Sequence, residues 1–272
     1  MVALLSFLTA AAAEDAIRTL HDLPYGPARE QRLDVYLPDA KATNAPVIAM
    51  VHGGAWAFGD KSNAQVVVNK SRRWVPRGAV FVSINNRLRP NANPVEQAED
   101  VARAVAFIQR EAKGWGADPA KLVLMGHSAG AHLAALLSAD PARAKRFGAE
   151  PWLGTVVLDS GAMDVPQLME GRHMPLFDRA FGSDPALWRE ASPHHALAPG
   201  AIPMLVVCST QRVVSCAQAR QFTRAAEKVG ARVETLEQDL NHREINETLG
   251  LDSAYTRRVE AFMASVGLLG AP

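Results

Sequence analysis

The sequence predicts an α/β fold in which helices cover both faces of a mostly parallel central sheet. Short, nearly continuous apolar runs recur along the chain and are typical of strands buried on both faces. Segments with apolar residues at helical spacing lie between these runs, and no internal repeat or Ser/Gly-rich linker separates them. A length of 272 residues suits one large core, since single cores stop growing near roughly 250–300 residues. We therefore expect residues 1–272 to form a single domain.

The predicted strands follow one another along the chain. Arg32–Leu37 alternates polar and apolar residues, which indicates a strand near a sheet edge with one face in water. Five apolar runs predict buried strands, at residues 45–51, 79–84, 122–125, 155–158 and 204–207. Alternation in residues 232–237 predicts a further, outer strand.

Helical spacing is clearest in two segments. Apolar residues at positions 98, 101, 105, 108 and 112 share one face, as do those at positions 255, 259, 262 and 266. Residues 131–138 are rich in Ala and Leu and predict a third helix. Residues 165–201 interrupt the alternation, because they are rich in Pro, Arg, His and aromatic residues with weak periodicity. An excursion of that size after a strand usually covers a site, so we expect a short lid-like insertion there.

Composition and charge exclude several classes of protein. Lys+Arg 29 against Asp+Glu 28, with 48% apolar residues, is typical of a soluble globular protein. No Lys/Arg stripe with interleaved aromatic residues is present, so nucleic acid is not an expected partner. The apolar segment at residues 2–13 is shorter than the roughly 20 residues of a spanning helix. It is either the end of a signal peptide or a short helix packed on the domain, which leaves both an exported or periplasmic and a cytoplasmic location open.

The strongest motif is the segment Gly126-His127-Ser128-Ala129-Gly130, which joins a predicted strand to a predicted helix. In such a G-x-S-x-G turn the serine hydroxyl is exposed on a tight bend, and small flanking residues let the helix pack close to the strand. The amide of Ala129 points to the place where a tetrahedral oxyanion forms. The motif also arises by chance, but the strand before it and the helix after it favour Ser128 as a nucleophile.

A pair of glycines follows the predicted strand at residues 45–51, in the segment His52-Gly53-Gly54-Ala55-Trp56. Glycines allow the backbone to approach a ligand closely and to turn its amides toward an anion. We expect the amides of Gly54 and Ala55 to complete an oxyanion hole. Trp56 is expected to line the substrate pocket, with core packing as the alternative. His52 is more simply interpreted as bracing the turn by hydrogen bonds.

A general base is expected beyond the last strand, because the chain order in folds with this serine turn is nucleophile, acid and then histidine. His242 meets this expectation, since it follows the predicted outer strand and precedes the final helix; the alternative is a histidine in a surface loop. His127 and His132 flank the serine, and we expect both to point away from it. His194 and His195 are expected to form the first turn of a helix.

With these motifs the chain resembles the esterase/lipase superfamily of α/β-hydrolases, in the branch of arylformamidase-like and hormone-sensitive-lipase-like carboxylesterases. The resemblance covers nearly the whole chain and rests on residues 52–56, on residues 126–132 and on the loop around His242. It implies that Ser128 is the nucleophile and His242 the base of an acyl-enzyme mechanism. It also implies a small-molecule ester as substrate and no metal or organic cofactor.

The same resemblance leaves the substrate open. Short-chain or aromatic acyl esters are expected, because Trp56 together with Phe177, Phe181 and Trp188 would shape a compact pocket. An arylformamidase-like amidase is the nearest alternative among enzymes. A hydrolase-fold binding protein that has lost catalytic competence is the alternative outside them.

One departure from the family concerns the acid of the triad. The family normally supplies an Asp after the strand that ends here at Cys208, but residues 208–216 contain no carboxylate, and Arg212 or Val214 holds its place. Asp159 ends the neighbouring strand and is a candidate substitute, although bonding to loop amides is the simpler interpretation of its Asp-Ser-Gly context. Loss of the acid costs about 10⁴-fold in kcat, so the sequence predicts a weakened or inactivated hydrolase.

The two cysteines bracket the loop in which the acid is missing. Their separation allows a Cys208–Cys216 disulfide that would pin the neighbourhood of the histidine. Two buried, unbridged cysteines are the alternative. A catalytic cysteine is not expected, because neither cysteine lies in a nucleophile turn.

Overall fold

A computed structural model describes residues 17–38 and 42–269. Eight strands form one sheet in the order β1-β2-β4-β3-β5-β6-β7-β8, which is parallel except for the antiparallel pairs β1–β2 and β2–β4. The mostly parallel sheet is therefore confirmed, whereas the expected N-terminal segment at residues 2–13 lies outside the described residues. The strands are β1 (Arg18–Pro24), β2 (Arg32–Leu37), β3 (Ala45–Val51), β4 (Val80–Ile84), β5 (Ala117–His127), β6 (Gly154–Leu158), β7 (Met204–Ser209) and β8 (Val233–Gln238).

Helices lie on both faces of the sheet, as the sequence predicts. The buried residues of α2 and α3 pack on one face together with those of α9, and the buried residues of α1 and α11 pack on the other. No described helix has the length and apolar character that crossing a membrane requires. The helices are α1 (Ala64–Trp74), α2 (Pro94–Glu111), α3 (Ala129–Ala139), α4 (Pro141–Lys145), α5 (Val165–Glu170), α6 (Pro175–Phe181), α7 (Pro185–Glu190), α8 (Pro193–Ala196), α9 (Val213–Lys228), α10 (His242–Glu247) and α11 (Ala254–Ser265).

The sheet differs from the prediction at its first edge. Strand β1 was not predicted, because most of its side chains are exposed or half-buried and carry little apolar pattern. It pairs with β2 and takes the edge position, so β2 is the second strand. The prediction that one face of β2 is exposed to water is wrong at Asp34, which is 1% exposed. The ammonium of Lys61 lies 2.8 Å from the Asp34 carboxylate and compensates its burial.

Residues 165–201 fold mainly into four short helices, α5 to α8, between β6 and β7. Their aromatic residues pack inward, because Phe177 and Phe181 belong to the core cluster that also contains Trp56. Trp188 packs against the outside of the same cluster and remains partly exposed. The segment is therefore anchored to the main core by its aromatic side chains.

The order of the strands decides where polar residues meet. The parallel strands β5, β6, β7 and β8 are neighbours in the sheet, so the residues after each of them lie at one edge. In open parallel sheets this carboxyl edge is where ligands bind. The serine turn, Asp159, Arg212 and His242 all follow one of these four strands.

Candidate active site

Ser128 lies in a tight turn between β5 and α3. Its backbone has φ 55° and ψ −115°, and its amide donates to the carbonyl of Leu158 at 2.9 Å. Two flanking glycines make this turn possible. A Cβ on Gly126 would lie 2.3 Å from the carbonyl oxygen of Gly130, and a Cβ on Gly130 would lie 2.4 Å from that of His52. The close packing of helix on strand therefore depends on the small residues that the motif supplies.

His242 lies directly opposite the serine. It follows β8 and precedes the final helix α11, as the sequence predicts, and it is the first residue of the short helix α10. The N-cap Asn241 and Glu244 form a capping box that fixes this helix start. The Nε2 atom of His242 lies 3.0 Å from Oγ of Ser128, so a hydroxyl and an imidazole 114 residues apart in the chain are in hydrogen-bond contact.

Asp159 supplies the carboxylate that contacts His242. It follows β6, has a φ of 55°, and is fully buried. Its Oδ2 atom lies 2.6 Å from Nδ1 of His242. Its Oδ1 atom accepts from the Ser209 amide at 2.9 Å and from the Ser215 hydroxyl at 2.5 Å. The simpler interpretation, in which Asp159 only bonds loop amides, is therefore incomplete. Residues 208–216 contain no carboxylate, and Asp159, the candidate substitute, contacts His242 instead.

The surroundings of Asp159 keep it ionised. Burial alone would raise the pKa of its carboxyl, but the hydrogen bond from His242 and the charge of Arg212 outweigh burial. Together with the Ser215 and Ser209 hydrogen bonds they hold the pKa of Asp159 well below its usual range. A charged carboxylate on Nδ1 favours the tautomer in which His242 carries its proton there and presents a bare Nε2 to Ser128.

Arg212 occupies the place after β7 where the acid was expected. Its Nη1 atom donates to Oδ2 of Asp159 at 2.5 Å and lies 2.7 Å from Nδ1 of His242. The other candidate for that place, Val214, lies in the first turn of α9, is 58% exposed and is not among the residues that line the cavity beside Ser128. The sequence singles out Arg212 only by its position in the loop after β7. Its contact with Asp159 could not be predicted, because it depends on β6 lying beside β7 in the sheet.

His127 does not point away from the site, contrary to expectation. Its ring centroid lies 4.5 Å from that of His242, and its Nε2–H donates to the carbonyl of His242 at 2.9 Å. Burial, and after it the nearby His242 ring, lower the pKa of His127 to about 3. A neutral imidazole at this position holds the backbone of His242 without adding a charge beside it.

The glycine loop after β3 lies against the serine turn. A Cβ on Gly53 would stand 3.0 Å from Cβ of Ser128. The chain then passes through positive φ at Gly54 (129°), Ala55 (50°) and Trp56 (60°). Within the described part of the chain, the amides of Gly54, Ala55 and Ala129 have no hydrogen-bond acceptor. Three free amides therefore lie on two loops that meet beside Ser128, which is the arrangement expected of an oxyanion hole.

Trp56 serves both of the roles weighed from the sequence. It is only 4% exposed and packs on Phe181 and Phe177, with ring centroids 4.9 and 5.9 Å away, and it also lines the cavity beside Ser128. Its indole N–H donates to Nδ1 of His132 at 3.2 Å, while Nε2–H of His132 donates to the carbonyl of Ala191. His132 therefore points away from the serine, as predicted, and fixes the orientation of the tryptophan.

His52 is buried at the same turn. Its Nδ1–H donates to the carbonyl of Gly53 at 2.7 Å, which agrees with the predicted bracing role. Its Nε2 is buried without a hydrogen-bond partner among the described residues. His194 and His195 lie in helix α8, and this prediction is confirmed.

A cavity of about 610 Å³ opens on Ser128 and His242. The glycine loop forms one wall, and the residues between β6 and β7 form another. Phe177 lines the cavity, whereas Phe181 and Trp188, which were expected to shape it, are not among its lining residues. The residues that line it are His52, Gly53, Gly54, Ala55, Trp56, Phe58, Gly59, Asn63, Gln65, Val66, His127, Ser128, Ser160, Gly161, Met174, Leu176, Phe177, Arg212, His242, Arg243 and Asn246.

Lys70, a fully buried lysine, holds helix α10 by hydrogen bonds. Nζ of Lys70 in α1 donates to the backbone carbonyl of Asn246 at 2.6 Å and to its side-chain oxygen at 2.9 Å. These contacts fix the end of the short helix whose first residue is His242. Burial lowers the pKa of Lys70 to about 7, although the charge of Glu247 acts in the opposite direction.

Lys70 should make the stability of the chain depend on pH. Between pH 7 and pH 10 the unfolded lysine holds a proton that the folded lysine has released, so the free energy of unfolding rises with pH. Relative to a Lys70→Met variant, the parent should gain up to about 4 kcal/mol over this interval. Urea unfolding of both proteins at several pH values measures the difference. The same dependence of the free energy of unfolding on pH in both proteins would contradict a lysine whose pKa is lowered in the folded state.

Cys208 and Cys216 form a disulfide between the end of β7 and the first turn of α9. Of the two interpretations left open, the bridge is the one found. The described residues contain one group of three potential metal ligands within 4.8 Å of one another, which is this cysteine pair with Glu237. Because both sulfurs are bonded to each other, the group offers no thiolate to a metal.

Reduction of this bridge should weaken the fold without abolishing it. A closed loop of this size stabilises a protein by about 2–3 kcal/mol through the entropy of the unfolded chain. We expect the free energy of unfolding, measured by urea titration, to fall by that amount in dithiothreitol at constant pH. Titration of thiols in denaturant supplies the control, with none expected before reduction and two after it. Two free thiols in the unreduced chain would contradict the bridge.

Comparisons with known proteins show sequence similarity to esterases and to a formamidase. The family model described as BD-FAE matches residues 33–225. Esterase LipQ of Mycobacterium tuberculosis is 34% identical over 231 residues, which are 77% of this chain and 53% of that protein. Kynurenine formamidase of Danio rerio is 33% identical over 159 residues, which are 58% of this chain and 50% of that protein. The chain thus spans about half the length of these curated relatives.

Solved structures agree on the fold. Thermogutta terrifontis esterase 2 phosphonylated by sarin superposes with a TM-score of 0.74 over 97% of this chain and 100% of that chain, at 21% identity. A truncated carbohydrate esterase from gut microbiota gives a TM-score of 0.73 over 93% of this chain and 98% of that chain, at 17% identity. At these identities the likeness shows the fold, which is that of the α/β-hydrolases.

Proposed function

We propose that this chain, which belongs to the BD-FAE family and has the α/β-hydrolase fold, is a serine hydrolase that cleaves carboxylic esters. One observation carries the proposal. Oγ of Ser128, the imidazole of His242 and the carboxylate of Asp159 form a continuous chain of contacts at 3.0 and 2.6 Å. The resemblance to Esterase LipQ supports the same reaction class. The complete line of contacts speaks against a binding protein that has lost catalysis.

The geometry supports a two-step acyl transfer. Ser128 attacks the ester carbonyl while Nε2 of His242 takes the hydroxyl proton, and Asp159 stabilises the imidazolium that forms. The free amides of Gly54, Ala55 and Ala129 bind the developing oxyanion. His242 then gives its proton to the leaving alkoxide. Water then attacks the acyl carbonyl and loses a proton to His242, which passes it to Oγ of Ser128 as the acyl group leaves as a carboxylic acid.

The lining of the cavity favours compact substrates. Trp56 and Phe177 are among the residues that line the cavity, and its volume of about 610 Å³ holds a molecule of moderate size. Short-chain or aromatic acyl groups therefore suit it best. A series of p-nitrophenyl esters from acetate to decanoate tests this, because kcat/KM should fall beyond the chain length that the cavity holds.

A formamidase is the second candidate, on one observation. Kynurenine formamidase of Danio rerio is 33% identical over a stretch that contains the serine motif. The same nucleophile and base cleave an aryl formamide if its amine is a sufficiently good leaving group. Comparison of formanilide with phenyl formate separates the two activities, since an esterase should cleave only the latter at a useful rate.

Covalent labelling and turnover together test the proposal. We expect the protein to hydrolyse p-nitrophenyl acetate and butyrate and to be inactivated by a fluorophosphonate at one equivalent. Peptide mass spectrometry should locate the label on Ser128. Heat-denatured protein, in which the serine is not activated, is the control and should remain unlabelled. An unlabelled native protein without turnover would contradict a serine hydrolase.

A further inference from the structure

Arg212 holds hydrogen-bond donors that the protein does not use. Its Nη1 atom contacts Asp159 and His242, whereas its Nε and Nη2 atoms have no acceptor within residues 17–38 and 42–269. The side chain is 29% exposed and lines the cavity. The site of a Cβ on Gly161, another lining residue, lies 3.7 Å from Nη2. Since glycine has no side chain there, that edge of the guanidinium stays open to the cavity.

The charges around the cavity favour an anion. Arg212 and Arg243 line it, and none of its lining residues is an Asp or Glu. Asp159, the counter-ion of Arg212, is fully buried behind the wall and does not line the cavity. Arg243 is paired with Glu247 on the outside. A ligand in the cavity therefore meets the free edge of the Arg212 guanidinium with no carboxylate in between.

We propose that Arg212 is a specificity-determining residue that binds a carboxylate group carried by the ester substrate. The inference rests on the proposed ester hydrolysis and names its substrate class as anionic esters. One edge of the guanidinium carries two adjacent free N–H donors, which match the two oxygens of a carboxylate. Such charge-assisted pairs are stronger than hydrogen bonds between neutral groups. A neutral ester leaves these donors to water.

The position of Arg212 also couples substrate charge to the chemical step. Its Nη1 lies 2.7 Å from Nδ1 of His242, so its positive charge opposes the positive charge that the imidazole gains in the transition state. A substrate carboxylate on the other edge of the guanidinium offsets that charge. An anionic ester should therefore have a higher kcat as well as a lower KM than its neutral counterpart.

Two matched pairs of esters test the proposal. 4-Acetoxybenzoate and 4-acetoxybenzamide differ in charge on the alcohol side of the ester. Monomethyl terephthalate and methyl 4-carbamoylbenzoate differ on the acyl side. We expect the parent to prefer the anion in at least one pair by about tenfold or more in kcat/KM. Arg212→Gln should remove the preference, whereas Arg243→Gln, which removes a charge from the same wall, should keep it. Because each ratio is taken within one protein, a general loss of activity in Arg212→Gln cancels.

A binding measurement keeps this test separate from the test of ester hydrolysis. In Ser128→Ala, calorimetry with both pairs should show the anion of at least one pair binding about tenfold more tightly than its amide, and the difference should vanish when Arg212→Gln is added. Equal binding of anion and amide in both pairs, or a preference that survives Arg212→Gln, would overturn the role of Arg212. Absent turnover of every ester would instead overturn the proposed function, and the binding result would still decide whether Arg212 holds a carboxylate.

Discussion

Asp159→Asn is expected to lower kcat for p-nitrophenyl butyrate by about 10⁴-fold. The amide keeps the shape of the carboxylate, and its oxygen still accepts from Ser209 and Ser215. Its NH₂ group then faces Nδ1 of His242, which drives the imidazole to the tautomer with its proton on Nε2. That tautomer cannot take the proton of Ser128. Stopped assays at pH 7.5 with parent and variant measure the loss.

Two controls separate this effect from damage to the fold. Far-UV circular dichroism and the urea midpoint should show that Asp159→Asn is folded under assay conditions. Val214→Asp introduces the carboxylate where the sequence first suggested it, and we expect no gain from it, because that side chain is 58% exposed. A variant Asp159→Asn within tenfold of the parent, or a large gain in Val214→Asp, would mean that another group orients His242.

Ser128→Ala should lower kcat by about 10⁶-fold, to the rate left by binding and the oxyanion amides alone. His242→Ala should cost nearly as much, because the hydroxyl and the imidazole act only as a unit. The double variant should therefore be no slower than either single one. This non-additivity is specific to a shared proton transfer between the two side chains.

Contaminating esterases limit such measurements, so each variant needs a second preparation and a fluorophosphonate-treated control. Residual activity that disappears with the inhibitor belongs to another serine hydrolase. A Ser128→Ala protein that keeps inhibitor-resistant turnover near the parent rate would show that Ser128 is not the nucleophile.

Most of the sheet can be predicted from the sequence, because buried parallel strands are continuous apolar runs. The runs at residues 45–51 and 204–207 correspond to β3 and β7 within two residues at each end. Strand β1 escapes prediction for the opposite reason. It is held by backbone pairing to β2, and its two leucines, Leu20 and Leu23, lie among polar residues without an alternating pattern, so its apolar signal is weak.

In the candidate site, too, some residues can be predicted from local sequence and others cannot. Ser128 and the glycine loop have local signals, since a tight turn demands particular residue types. The contact between Asp159 and His242 has none, because it arises only when β6, β7 and β8 lie side by side in the sheet. Which of two carboxylate positions faces an imidazole is a property of strand order. The contact of His127 with His242 depends on the path of α10 and is equally invisible along the chain.

The backbone around Ser128 sets a limit on how stable this protein can become. Six non-glycine residues of the described chain have positive φ, and four of them, Ala55, Trp56, Ser128 and Asp159, surround the site. Such conformations cost of order 1–3 kcal/mol each and persist because the neighbouring structure enforces them. Selection for heat resistance would relieve this strain most easily by Ala55→Gly, because glycine adopts positive φ without strain. The greater flexibility of glycine would also loosen the amides that face the oxyanion. Thermostability and turnover are therefore expected to compete at this turn, and to be independent elsewhere in the sheet.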